Sequence, residues 1–338
     1  MPLMTGMSSK PRVILGLMTF GPPGTESKGA RITSIDDYNA CLDYLQKNGY
    51  NEVDTARAYI GGGQEAFTRE AKWQERGLQL ATKCYPDKPG KHKPDNLKAS
   101  FNKSLQELGT DSVDIFYLHA PDRSVPFEET MQACDELFKE GKFQNLGLSN
   151  FAAWEVAEVY NIAKERGWVK PTIYQAMYNA ITRDIETELI PCCRKYGIDI
   201  VIYNPLAGGI FSGKYKSADL PQEGRYSATN ANQGKMYRDR YFKDATFEAL
   251  RYIEPVVQKH NLTLLETALR WVNHHSKINV RGVSKDGNDG VIIGVSSLKQ
   301  LESNITDLEK GPLPDEVVEA LDHAWQNITK ATSPLYWR

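Results

Sequence analysis

The sequence predicts a single (β/α)8 barrel, and three observations support this fold. Eight short runs rich in β-branched and aromatic residues recur along the chain, and longer segments with helical spacing lie between them. Several runs, such as VDIFYLH and IDIVIYNP, are almost continuously apolar, as is typical of parallel strands covered on both faces. No change in composition marks a linker, so all 338 residues fit one barrel domain of ordinary length.

The predicted strands are regularly spaced, as the TIM-barrel architecture requires. They span residues 12–20, 52–56, 78–83, 112–119, 143–150, 172–179, 199–206 and 291–295. An open doubly wound sheet is the alternative fold, but it would be expected to carry a GxGxxG turn after an early strand. That motif is absent, and Gly61–Gly63 does not fit its spacing.

The predicted helices begin and end at recognisable signals. Ser34 caps a helix that has acidic residues in its first turn and Gly49 at its C-terminal end. Four later helices end at Gly109, Gly141, Gly167 and Gly197. Further helices are predicted at 245–260, 263–273, 298–308 and 314–328, so the chain has extra C-terminal helices.

Three segments are predicted to lie outside the regular repeat. Residues 1–11 form a flexible leader before a barrel domain at 12–338. Residues 217–243, which are polar and aromatic, form a long loop over the active-site face after strand seven. Residues 281–290, with the sequence RGVSKDGNDG, form a surface turn before strand eight.

Composition excludes several classes of function. A formal net charge of -2 gives no field that would attract nucleic acid or an anionic membrane. No apolar run is long enough to span a bilayer, and the N-terminal residues do not resemble a secretory signal. The five cysteines include no CxxC pair, which argues against a disulfide framework or a zinc site. A cytoplasmic location without a bound metal is therefore expected.

Polar and titratable residues follow the predicted strands at one rim of the barrel, where barrel enzymes carry their reacting groups. Asp54 ends strand two, with Tyr59 shortly after it, while Lys83 ends strand three and His119 ends strand four. The later strand ends carry Ser149, Asn150, Gln175, Tyr203, Asn204, Gly294, Ser296 and Ser297. Each of these residues alone is more often a cap or a packing residue, but their joint position indicates a site.

The first four of these residues suggest proton transfer to a carbonyl oxygen. A lysine ammonium beside a tyrosine favours the phenolate and so makes the phenolic proton easier to release. An aspartate keeps the lysine charged, and a histidine can orient the carbonyl. Such a set lacks a reductant, so a nicotinamide cofactor is expected to supply hydride.

The segments EVDTARAY, LATKCYP, DIFYLHAPD, GLSNF, YQAMYN and YNPLAGGIFSGKY resemble those of aldo-keto reductases, in the same order and at similar intervals. The resemblance runs from about Val13 to the C-terminus. The HAPD and NPLAGG segments and the ending PLYWR are similar to the aflatoxin-aldehyde and succinic-semialdehyde reductase branch. The resemblance implies NADPH-dependent reduction of small aldehydes, including dicarbonyl or carboxylated ones.

The resemblance also implies roles for individual residues. Tyr59 is the general acid, Lys83 and Asp54 tune it, and His119 orients the substrate. The residues expected to hold NADP(H) are Asp54, Ser149, Asn150, Gln175, Tyr203, Asn204, Leu206, Gly208, Gly209, Lys214, Arg238, Gly294, Ser296, Ser297, Gln300 and Asn304. Arg338 either binds a substrate carboxylate or is a solvated chain end. Arg57 and Ala58 depart from the apolar residues of that branch, and Gly61–Gly63 is expected to loosen the loop beside Tyr59.

Other functions are weaker interpretations of the same sequence. A regulatory subunit that holds NADP(H) with little turnover, similar to potassium channel β subunits, is the main alternative. Gly208 to Lys214 nearly matches a P-loop, but Tyr215 stands where a magnesium-binding hydroxyl belongs. A metal-dependent hydrolase would need paired strand histidines, which are absent. The oligomeric state is open, with a homodimer among the alternatives.

Overall fold

A computed structural model describes residues 10–222, 224, 226–227, 233–280 and 288–338. Eight parallel strands close into a barrel in chain order, because β1 pairs with both β2 and β8. The strands are β1 Val13–Gly16, β2 Glu52–Asp54, β3 Gln79–Cys84, β4 Val113–Leu118, β5 Phe143–Ser149, β6 Pro171–Met177, β7 Asp199–Tyr203 and β8 Gly290–Gly294. The predicted barrel is therefore confirmed, with every strand inside or within one residue of its predicted range.

Helices surround the strands and cover their outer faces. They are α1 Ile35–Lys47, α2 Gln64–Glu70, α3 Pro94–Leu108, α4 Phe127–Lys139, α5 Ala153–Arg166, α6 Leu189–Tyr196, α7 Gln233–Tyr241, α8 Asp244–Lys259, α9 Leu264–His274, α10 Leu298–Glu309 and α11 Asp315–His323. A π-helical turn, Ala324–Thr329, continues α11. The extra helices at the C-terminal end are confirmed.

The predicted helix signals act as expected in the folded chain. The Ser34 hydroxyl accepts hydrogen bonds from the backbone N–H groups of Asp36 and Asp37. Gly109 and Gly197 adopt left-handed conformations just beyond the last helical residue. Because such a turn reverses the chain within a few residues, each helix leads directly back to the next strand. The strand ends consequently gather at one rim.

Two helices were not expected from the sequence. The short helix α2 lies between the loop that follows β2 and strand β3. Helix α7 lies inside the segment 217–243 that was predicted to be a loop. The prediction of a loop was wrong for the residues of α7. The composition of this helix is strongly polar, so the sequence shows no clear apolar helical pattern there. Tyr237 and Tyr241, four residues apart, are nonetheless buried and hold this helix against the barrel.

Beneath the rim, the barrel interior is closed by a small apolar layer. Tyr117 lies at its centre and packs with Ile14, Ile173 and Val201. Gly147 on β5 provides the space, because a Cβ atom there would lie 2.2 Å from the Tyr117 ring. The layer separates the rim from the opposite end of the barrel.

Some features predicted for the ends and loops lie outside the described residues. These are residues 1–9 of the leader, residues 223, 225 and 228–232 of the segment after β7, and residues 281–287 of the turn before β8. In the ranges that the structure covers, every helix is too short or too polar to cross a lipid bilayer.

Candidate active site at the carboxyl rim

A buried ion pair lies at the centre of the rim. The Lys83 ammonium donates to Asp54 Oδ2 at 2.5 Å and to the Thr55 carbonyl at 2.5 Å, and its side chain has no exposed area. Gln175 Nε2 donates to the other carboxylate oxygen at 2.9 Å. Burial raises the pKa of Asp54 and lowers the pKa of Lys83, and the opposite charge of each partner counteracts the shift. Both charges are therefore satisfied inside the barrel.

Tyr59 lies against this ion pair. Its hydroxyl is 3.3 Å from Lys83 Nζ, and the ammonium is 4.9 Å from the centre of the ring. Burial raises the pKa of Tyr59 well above its ordinary value, and the Asp54 carboxylate raises it further. This differs from the expected lowering of the pKa by Lys83. The main reason is that burial disfavours the charged phenolate, and the Asp54 carboxylate beside Lys83 adds to this effect. Tyr59 therefore retains its proton at neutral pH.

His119 lies on the other side of Tyr59, with its ring edge-on at 6.1 Å between centroids. Burial lowers the pKa of His119 well below its ordinary value, and the charges of Lys83 and Arg338 lower it further. The imidazole is therefore neutral. Its Nδ1 atom is buried and has no hydrogen-bond partner among the described residues. Because His119 lines the cavity, its neutral imidazole can hydrogen-bond a polar group of a ligand.

A cavity of about 570 Å³ opens above these side chains. It brings together most of the residues singled out in the sequence. Those that line it are Asp54, Tyr59, His119, Asn150, Gln175, Tyr203, Asn204, Leu206, Gly208, Gly209, Lys214, Gly294, Ser296, Gln300, Asn304 and Arg338. They come from β2, β6, β7 and β8, from the segments that follow β2, β4, β5, β7 and β8, from α10 and from the C-terminal tail.

Four of the singled-out residues do not line the cavity. Lys83 lies behind Asp54 and Tyr59. The Ser149 hydroxyl accepts a hydrogen bond from the Asn150 amide. The Ser297 hydroxyl caps α10 by accepting from the backbone N–H of Gln300. Arg238 donates to the carbonyl oxygens of Tyr226 and Ser227, so the structure does not bring its side chain to the cavity wall.

Arg240, two residues beyond Arg238, lines the cavity instead. Its guanidinium lies 5.8 Å from the centre of the Tyr203 ring, and no carboxylate forms an ion pair with it in the described part of the chain. The sequence could not distinguish the two arginines, because their facing depends on the helix α7 that was expected to be a loop. Arg31, in the loop after β1, is a second cavity residue missed by sequence reasoning.

The opposite end of the cavity is shaped by backbone. Gly208 and Gly209 have φ angles of +68° and +100°, and a Cβ atom at Gly208 would lie 2.7 Å from the Tyr226 hydroxyl. The chain therefore needs glycine at Gly208 to pass close to the cavity. The N-terminus of α10 forms the adjacent wall, where Ser296 and Gln300 bond to each other. Such a helix N-terminus favours anionic groups.

Metal binding finds no support at this rim. Within the described ranges, no group of three or more His, Cys, Asp or Glu side chains is arranged to hold a metal ion.

The fold and the rim cluster are those of a (β/α)8-barrel protein with a candidate active site at its carboxyl rim. Residues 12–326 match the model of the Aldo/keto reductase family, so the chain belongs to this family and is an oxidoreductase.

Known relatives cover almost the whole chain. An aldo-keto reductase of Pseudocercospora fijiensis is 45% identical over 301 residues, which are 87% of this chain and 99% of that protein. Aflatoxin B1 aldehyde reductase member 2 of Rattus norvegicus is 40% identical over 351 residues, covering 100% of this chain and 93% of the relative. Human aldo-keto reductase family 7 member A3 is 40% identical, with 98% of each chain covered. The resemblance deduced from the sequence motifs is thereby confirmed.

Proposed function

We propose that this protein reduces aldehydes to alcohols with NADPH and that Tyr59 is the general acid. The observation that carries the proposal is the contact of the Tyr59 hydroxyl with the buried Lys83–Asp54 pair, at the wall of a cavity that His119 also lines. The names of the aflatoxin B1 aldehyde reductases support an aldehyde as the substrate class. No observation favours the alternative of a regulatory subunit.

The lining of the cavity suits nicotinamide adenine dinucleotide phosphate. The Gly208–Gly209 turn and the N-terminus of α10 offer close backbone approach to anionic groups. Arg31, Lys214, Arg240 and Arg338 supply cationic side chains, whereas Asp54, the acidic side chain among the described residues of the wall, is already paired with Lys83. The residues that would hold the cofactor are Asp54, Asn150, Gln175, Tyr203, Asn204, Leu206, Gly208, Gly209, Lys214, Gly294, Ser296, Gln300 and Asn304, with Ser149 and Ser297 behind them.

The protein's own residues manage the proton. When bound, the reduced nicotinamide supplies the hydride that the carbonyl carbon accepts. The neutral Tyr59 phenol donates its proton to the carbonyl oxygen as negative charge develops there, and the adjacent Lys83 ammonium stabilises the resulting phenolate. His119 hydrogen-bonds the carbonyl oxygen and orients the substrate. Since the phenol is protonated at neutral pH, the acid is available in the resting enzyme.

Two arginines at the cavity suggest the kind of aldehyde. Arg338 lies 6.0 Å from the centre of the Tyr85 ring, and its charge is felt at both Tyr59 and His119. Arg240 lies beside Tyr203 on the same cavity. A substrate carboxylate or second carbonyl would find a cationic partner there, so carboxylated and dicarbonyl aldehydes are the proposed preference.

The test is the substitution Tyr59→Phe, which removes the acid hydroxyl and keeps the ring. Aldehyde-dependent NADPH oxidation, followed by absorbance over a panel of aldehydes, should fall by about a hundredfold or more. NADPH binding, followed by fluorescence, should persist. Retained turnover would remove Tyr59 from the acid role. Tight NADPH binding with no turnover by the unmodified protein would favour the regulatory alternative.

A further inference from the structure

We propose that Arg57 is a positioning residue, which clamps the turn that carries Tyr59 and so keeps the phenol in contact with Lys83. The inference rests on the proposed function, because it concerns the residue to which that function assigns the acid role.

The turn after Tyr59 runs through the left-handed region, which its two glycines adopt readily but Ile60 does not. Ile60, Gly61 and Gly62 have consecutive φ angles of +52°, +60° and +90°. A β-branched residue such as Ile60 is strained in the left-handed region, although its side chain is buried. A strained turn persists only when surrounding contacts hold it. Contacts from outside the turn therefore restrain the loop that Gly61–Gly63 is expected to loosen.

The Arg57 side chain contacts the far end of the turn and the helix that follows it. Its Nη2 atom donates to the Gly62 carbonyl at 2.5 Å, while its Nη1 atom forms an ion pair with Glu65 in the first turn of α2. The side chain of Glu65 is only 1% exposed, so this carboxylate depends on the guanidinium for its charge balance. The planar guanidinium can make both bonds at once.

The clamp is also joined to the strand that carries Lys83. The second oxygen of Glu65 accepts from the Thr82 hydroxyl at 2.6 Å, and the backbone N–H of Arg57 donates to the Lys83 carbonyl at 3.0 Å. The turn, α2 and β3 are thereby linked through one side chain. The 3.3 Å contact between Tyr59 and Lys83 lies between these fixed points.

Arg57 does not line the cavity, so it is not placed to contact a substrate or cofactor. The guanidinium of Arg57 also packs closely against Gly62. A Cβ atom at Gly62 would lie 2.6 Å from Nη2, so the close approach of the arginine requires glycine at that position. The geometry therefore assigns Arg57 an effect on Tyr59 through the backbone of the turn.

The experiment compares Arg57→Gln, Arg57→Lys and the control Arg76→Gln. Arg76 forms an ion pair with Asp43 and bonds to Asn39, away from the cavity. The measurements are kcat and KM for an aldehyde, the Kd of NADPH, and the NMR signal of ¹³C-labelled Tyr59, assigned by its loss in Tyr59→Phe. The variant Arg57→Gln/Glu65→Gln removes both charges and avoids leaving a buried unpaired carboxylate.

The proposal predicts a split between kcat and binding. In Arg57→Gln and in the double variant, kcat should fall about ten- to hundredfold, since small displacements of a reacting group are costly. KM and the NADPH Kd should change less than about threefold, and the Tyr59 signal should shift. Arg57→Lys, which keeps the charge opposite Glu65 without the planar fork, should be intermediate. Arg76→Gln should match the unmodified protein.

Unchanged kcat and an unchanged Tyr59 signal in the folded double variant would overturn the proposal, as would a loss of activity matched by the loss of folded protein. Failure of the proposed function looks different. In that case the unmodified protein would not turn over aldehydes at all, while the Tyr59 signal would still report whether Arg57 holds the turn.

Discussion

At the scale of single residues, the site is organised by one buried ion pair. Lys83 and Asp54 have almost no exposed area, and each is tolerated only because the other is present. The pair explains why Tyr59 remains a phenol, since a neutralised lysine does not offset the effect of burial on the pKa of the tyrosine. The surroundings therefore keep Tyr59 protonated in the resting protein.

Removing one member of the pair should be more harmful to folding than removing both. Asp54→Asn leaves the Lys83 ammonium buried without a counter-ion, so the free energy of unfolding should fall by about 3–5 kcal/mol. The double variant Asp54→Asn/Lys83→Met removes both charges and should recover much of that loss. Denaturant unfolding of the three proteins measures the difference. Equal stability of the single and double variants would contradict an ion pair at this position.

At the scale of elements, the C-terminal tail completes the cavity. Tyr336 is anchored by its hydroxyl, which donates to Glu188 at 2.9 Å and accepts from the Ala153 backbone N–H at 3.0 Å. Arg338 donates through its backbone N–H to the Asn150 carbonyl at 3.0 Å. Leu335 is 66% exposed, so burial of that residue does not hold the tail. The buried ring of Tyr336 and these hydrogen bonds therefore hold the tail that carries Arg338.

Loosening this anchor should affect charged substrates selectively. In Tyr336→Phe the ring remains but both hydrogen bonds are lost, so Arg338 is held less well. We expect kcat/KM for a carboxylated aldehyde to fall about tenfold, which corresponds to one charge-assisted hydrogen bond. The value for an uncharged aldehyde of similar size should change less than about twofold. An equal loss for both substrates would show that the tail does not act through Arg338.

At the scale of the whole molecule, burial of histidine couples stability to pH. His92 is 1% exposed, and burial lowers its pKa to about 4 despite the nearby Asp122 carboxylate. Its Nε2 atom has no hydrogen-bond partner in the described part of the chain. The unfolded chain binds a proton at this residue near pH 6.5, whereas the folded protein resists protonation until about pH 4. Stability is therefore lost as pH falls through this window.

The contribution of His92 can be isolated by substitution. Between pH 6.5 and 4, the free energy of unfolding should fall by up to about 1.4 kcal/mol per pH unit because of this residue. In His92→Gln that part of the slope should disappear, while His323→Gln, at an exposed position, should keep it. Denaturant titrations at several pH values provide the measurement. Parallel curves for His92→Gln and the unmodified protein would contradict the prediction.

Local sequence determined the strands, most helices and the membership of the rim. Apolar runs separated by helical segments identify β1 to β8, because a buried parallel strand is apolar on both faces. Ser34 and Gly109 mark helix ends because caps satisfy backbone groups within a few residues. Asp54, Lys83 and His119 could be placed on one rim because parallel strands in a barrel all end at the same face.

Tertiary structure decided what depends on contacts between distant segments. The high pKa of Tyr59 follows from burial and from the neutralisation of Lys83 by Asp54, which no local pattern reveals. Arg240 lines the cavity and Arg238 does not, because the orientation of both side chains is set by α7, a polar helix held by two buried tyrosines. The contact of Arg57 with Gly62 and Glu65 likewise depends on how the turn folds back. The protonation state and the orientation of a side chain depend on its three-dimensional surroundings. The spacing of residues along the sequence does not encode those surroundings.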